Sequence, residues 1–172
     1  KFYHYPQGSR FMPRPWFVAL ERLDGQGRFA DPDTLAQAAR AAGMDVVTLA
    51  PGEGVEALAG KLAGRTGIEG LHVLSHGSTG SIGLGGDILD PTTVDAHRQS
   101  LSTIGAALAP GGDLLLWGCR AGEGGLGALF ADRLAGATGA DVALSDDVTG
   151  LSGDWVLERT HGAVGGTDAL AA

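Results

Sequence analysis

Cysteine occurs once in this chain, at Cys119, where it closes the apolar run Leu114-Leu115-Leu116-Trp117-Gly118. An earlier run, Leu71-His72-Val73-Leu74, ends in Ser75-His76-Gly77. A thiol at its ordinary pKa of about 8.5 is mostly protonated at neutral pH, so a nucleophilic cysteine needs a neighbouring cation, base or helix N-terminus. If the two runs are parallel neighbours, both side chains leave the same carboxyl edge of one sheet, where ligands gather in open α/β folds. The pairing therefore suggests thiol attack on a carbonyl, with Cys119 as nucleophile and His76 as its proton shuttle. The N–H groups of Gly77 and Cys119 are the natural donors to the developing oxyanion. Each half alone has a plain structural account: free cysteine is among the most buried residue types, and a strand-end histidine commonly bonds a backbone carbonyl.

Those side chains need a sheet to hold them. Trp16 to Leu20 reads as a first strand, followed by a turn at Gly25 to Gly27. Asp31 suits an N-cap, Pro32 the first helical position and Gly43 the stop, so a helix is expected through about Ala42. Val46 to Leu49 is the second strand. Val55, Leu58, Ala59 and Leu62 fall on one helical stripe, and Ile68 to Ser75 forms the third strand. Ser81 to Leu89 alternates around a Gly-Gly-Asp turn and reads as a hairpin. A helix from Val94 to Leu108 leads to a fourth strand at Asp113 to Gly118. Another from Leu126 to Ala137 leads to a fifth strand at Asp141 to Ser145, and Trp155 to Glu158 makes a late edge strand. Strands alternating with helices predict an α/β fold of three αβα layers, with a mostly parallel sheet covered on both faces. Residues 1–15 carry three prolines and read as an arm, linker or remnant; 16–166 form the domain and 167–172 a tail.

At 172 residues and 44% hydrophobic, one domain can bury a full core without staples. A net charge of −8 without a basic stripe argues against nucleic acid and against an anionic membrane surface. No apolar run approaches the length of a membrane span. One cysteine makes neither an internal disulfide nor a multi-thiolate metal site.

The runs around His76 and Cys119 resemble the caspase-like superfamily of cysteine peptidases. More closely, the chain resembles a bacterial family within that fold, whose members lie near the N-termini of large repeat-bearing, cadherin-like or RTX-like surface and secreted proteins. The likeness extends from Trp16 onward. It includes Ser75-His76-Gly77-Ser78-Thr79-Gly80, Leu84-Gly85, Leu116-Trp117-Gly118-Cys119, Thr138-Gly139-Ala140-Asp141-Val142-Ala143 and Gly153-Asp154-Trp155-Val156-Leu157. The resemblance implies a His76–Cys119 dyad, an oxyanion N–H from Gly77, a polypeptide substrate (in cis or in trans) and an extracellular or cell-surface setting. The alternative it leaves open is a catalytically idle binding or structural module. Caspases carry Gln two residues before the cysteine, where this chain has Trp117, so their preference for Asp is not expected here.

Period-2 alternation sets Trp117 on the face of Cys119, where it could wall a specificity pocket. Ser75 is placed beside it as a substrate-binding candidate. Ser145-Asp146-Asp147 should reach the same edge, and its two carboxylates could receive a substrate Arg or Lys. Asp146, Asp147 and Asp154 could instead hold calcium, although no EF-hand spacing accompanies them; no other cofactor is expected. His72 reads as a core residue. Gly83-Leu84-Gly85-Gly86 lacks the strand-to-helix setting of a phosphate loop. Arg10 and Arg14 suit a pro-arm trimmed by, or lying across, the cleft.

Overall fold

The structure is a computed structural model and describes residues 16–21, 32–150 and 153–165. The arm with Arg10 and Arg14, the turn at Gly25 to Gly27, the Asp31 cap and the tail at 167–172 lie outside the described residues.

The chain forms β1 (Trp16–Glu21), α1 (Pro32–Ala41), β2 (Asp45–Leu49), α2 (Val55–Leu62) and β3 (Ile68–Leu74). The short strands β4 (Gly77–Ser78), β5 (Ser81–Leu84) and β6 (Asp87–Leu89) follow. A 3-10 turn at Val94–His97 opens into α3 (Arg98–Ala107), then come β7 (Leu108–Trp117), α4 (Gly124–Thr138), β8 (Asp141–Leu144) and β9 (Arg159–His161). The main sheet has the order β2-β1-β3-β7-β8-β9. Its first five strands run parallel, and β9 joins β8 antiparallel.

Two apolar faces explain the three layers. On one face Val55, Leu58 and Leu62 of α2, Leu101 and Ile104 of α3, and Phe130 and Leu134 of α4 pack against Leu71, Val73, Leu114, Leu116, Val142 and Leu144. On the other, Ala36 and Ala39 of α1 and Leu157 cover Leu74, Leu115, Trp117 and Ala143. With both faces covered, β7 reads as a continuous leucine run rather than an alternation. The expected mixed α/β architecture with a mostly parallel sheet is the one observed.

Three boundaries differ from expectation. Pro110 pushes Ala109 out of the helical region, and the helix has ended by then: α3 stops at Ala107 and the chain is already extended at Leu108. The β7 strand therefore starts earlier than Asp113, at the cost of a register shift between Ile68 and Gly70 of β3. The expected late strand at Trp155 to Glu158 is absent: Leu157 is buried in the second core and Trp155 packs beside it, while Arg159–His161 takes the ladder on β8. Finally, the hairpin gains a third strand, because Gly77–Ser78 pairs with Ser81–Ile82.

Candidate active site

Strands β3 and β7 are parallel neighbours, and Leu74 pairs with Trp117. His76 and Cys119 each lie two residues beyond that pair, so both emerge at the carboxyl edge of the sheet. The backbones beyond the strands touch. A β-carbon on Gly77 would stand 2.6 Å from the carbonyl carbon of Gly118 and 2.7 Å from the Cys119 oxygen. Only glycine permits that approach. Gly77→Ala is expected to force the two loops apart and cost about 1–3 kcal/mol, read as a lower urea midpoint together with slower modification of Cys119.

The His76 loop is fixed from the hairpin. The Gly83 N–H donates to the His76 carbonyl at 2.8 Å, and the Ser75 hydroxyl donates to the Gly83 carbonyl. Ser75 is 1% exposed. Its hydroxyl braces the hairpin, so the substrate-binding role expected for it is corrected to a structural one. His76 itself is exposed and Cys119 half-buried.

The turn after Cys119 is pinned to the end of β8. Arg120 N–H donates to the Asp147 carbonyl at 2.6 Å, and Gly122 N–H to the Ser145 carbonyl at 2.7 Å. Arg120 has φ 60°, the left-handed region, and is the one non-glycine residue with positive φ among the described residues. Such strain gathers at functional turns where the surroundings over-determine the backbone. From Glu123 the chain enters α4, which begins at Gly124, shortly after Cys119 in sequence. The Cys119 thiol donates to the Thr149 carbonyl at 3.8 Å.

Ser145, Asp146 and Asp147 thus sit beside the cysteine turn. Ser145 is fully buried, whereas the Asp147 side chain is exposed. The Asp146 N–H donates to a Glu158 carboxylate oxygen at 2.9 Å. The carboxylates of Asp147, Asp154 and Glu158 lie within 4.8 Å of one another and are all exposed. That group offers oxygen ligands suited to a hard cation or donor-rich guanidinium. Sequence reasoning named Asp147 and Asp154 but missed Glu158 and Thr149, since neither carries a pattern that distinguishes it from other loop residues.

Trp117 is not a pocket wall. It is 0% exposed, its indole N–H donates to His72 Nδ1 at 3.0 Å, and it packs on Trp155 with ring centroids 5.8 Å apart. Alternation did put Trp117 on the face of Leu115, but that face is the second core. His72 is equally buried, as a core histidine should be. Burial pushes its pKa from 6.5 down to about 4. Between those values an unfolded chain binds the proton and the folded one does not, so stability falls as pH drops from about 6.5 toward 4, by about 3 kcal/mol in total. Burial raises the pKa of Asp113, and that group works in the opposite sense, its contribution being lost as pH rises. Urea unfolding at pH 7 and pH 4.5 should show the larger acid loss in wild type and a smaller one in His72→Gln.

Among the described residues, no helix is long and apolar enough to cross a membrane. No curated protein matches the chain. A family model described as Domain of unknown function (DUF4347) matches residues 26–172. That span is most of the chain, and the protein belongs to the DUF4347 family.

Proposed function

We propose that this chain is a cysteine endopeptidase of caspase-like type, acting through His76 and Cys119. The observation that carries the reading is the packing of Gly77 onto Gly118 and Cys119 across two parallel strands paired at Leu74 and Trp117. It sets a histidine loop against a cysteine turn at the sheet edge where α/β proteins bind ligands.

In this mechanism the Cys119 thiolate attacks the substrate carbonyl carbon. The N–H groups of Gly77 and Cys119 hold the oxyanion. His76 protonates the leaving amine, giving a thioester on Cys119 that water then hydrolyses. The exposed carboxylates of Asp147, Asp154 and Glu158 beside the turn favour a basic residue near the scissile bond, with Asp147 and the adjoining Asp146 as its receivers. The substrate is a polypeptide, including other parts of a larger surface or secreted bacterial protein to which this domain would belong. The reading requires no cofactor; calcium would enter through the same carboxylates.

One contact favours a second reading, an idle binding or structural module. The Cys119 thiol is already engaged with the Thr149 carbonyl 3.8 Å away, a bond that nucleophilic attack would have to give up. A diverse peptide mixture incubated with wild type and with Cys119→Ala, with and without calcium, decides between the two. Cuts made by wild type alone support the peptidase and reveal its preference. Absence of cuts under all conditions favours the idle module.

A further inference from the structure

The loop carrying His76 and the turn carrying Cys119 come from different strands, and an imidazole that must serve a thiol has to be held in register with it. At the base of the hairpin, backbone packing of Gly77 on Gly118 does this. At its tip a second connection exists. Thr79 and Gly80 form the turn between β4 and β5, with Gly80 at φ 71°. The Thr79 hydroxyl donates to a Glu123 carboxylate oxygen at 2.6 Å, bridging 44 residues of sequence. Beside it, a β-carbon on Gly80 would lie 2.8 Å from the Leu126 β-carbon, so the tip rests directly on the first turn of α4.

Glu123 occupies the N-cap position of α4 but makes no side-chain capping bond to its own helix. An N-cap Ser, Thr, Asp or Asn would ordinarily bond the free N–H groups there. Here the carboxylate is turned outward to the hairpin instead, at the positive end of the helix dipole, where a negative charge is favoured. The bond to a charged acceptor is stronger than a neutral one.

We infer that Thr79 and Glu123 form a latch that fixes the His76 hairpin on the Cys119 turn, making both of them positioning residues for the dyad. This rests on the peptidase reading of His76 and Cys119. The latch closes a rigid loop: β3, the hairpin, the Thr79–Glu123 bond, the α4 N-terminus, the Cys119 turn and back through the β3–β7 ladder. Opening it leaves the strands paired but lets the hairpin tip lift.

The test is the rate of Cys119 alkylation by iodoacetamide as a function of pH, which needs no known substrate. It is measured in wild type, Thr79→Val, Thr79→Ser and Glu123→Gln, each with His76 intact and with His76→Ala. Thr79 is exposed, so none of these changes removes core packing. Thr79→Val should lower the His76-dependent part of the rate about fivefold, a modest effect because this charged bond is exposed to solvent. Thr79→Ser should restore it, Glu123→Gln should fall between, and none should matter in the His76→Ala background. His76 dependence that survives Thr79→Val unchanged overturns the latch alone. An alkylation rate that never depends on His76, even in wild type, overturns the dyad reading and the latch with it.

Discussion

Cys119→Ala should reduce peptide cleavage by at least about 10⁴-fold, and His76→Ala by about 10²–10⁴-fold, without unfolding the chain. The two losses differ in kind. Without the thiol there is no acyl-enzyme, and the oxyanion donors are left with no intermediate to hold. Without the imidazole the leaving amine loses its proton donor but the nucleophile remains, so His76→Ala should keep a larger residual rate than Cys119→Ala. The double variant should be no slower than Cys119→Ala, because residues that act on one bond do not contribute additively. Neither change removes core packing, since His76 is exposed and Cys119 only half-buried. Cleavage rates on one sensitive peptide, measured for all four proteins across pH, check this.

Trp117→Ala should have the largest effect on stability, about 3–5 kcal/mol. The indole is fully buried among Leu74, Leu115, Ala143 and Leu157, and its loss opens a cavity between the sheet and its second covering layer. It also takes away the N–H that His72 Nδ1 accepts, and the ring that stacks on His72 at 6.0 Å. Trp117→Phe refills most of the volume but not the hydrogen bond, and should lose about 1–3 kcal/mol. Urea unfolding measures both. A pocket-wall tryptophan would behave otherwise: the alanine variant would keep its midpoint and change its substrate preference.

Much of this architecture was legible because periodicity reports burial. The stripe of Val55, Leu58, Ala59 and Leu62 is buried as a set in α2, and the leucines of β7 are buried on both faces. Strand–helix alternation implied that the strands before His76 and Cys119 run parallel, while their being neighbours was a condition of the reading that the β3–β7 ladder meets. Period-2 alternation could say that Trp117 shares a face with Leu115 and Cys119, but not whether that face meets solvent or a covering layer. That depended on Trp155 and Leu157, almost forty residues away in sequence. Ser75 misled for a similar reason: its partner, the Gly83 carbonyl, exists only once the hairpin folds back. Thr79 and Glu123, or Cys119 and Thr149, meet through loops whose course no local pattern encodes.

The acyl-enzyme is the species that most directly separates a working cysteine peptidase from an idle module. Wild-type protein mixed with a cleaved peptide, quenched in acid within milliseconds to seconds and weighed intact, should carry a thioester. The added mass should equal the N-terminal product less water, and it should map to Cys119. Cleavage that continues undiminished in Cys119→Ala, with no adduct on the wild-type cysteine at any time, would contradict the account.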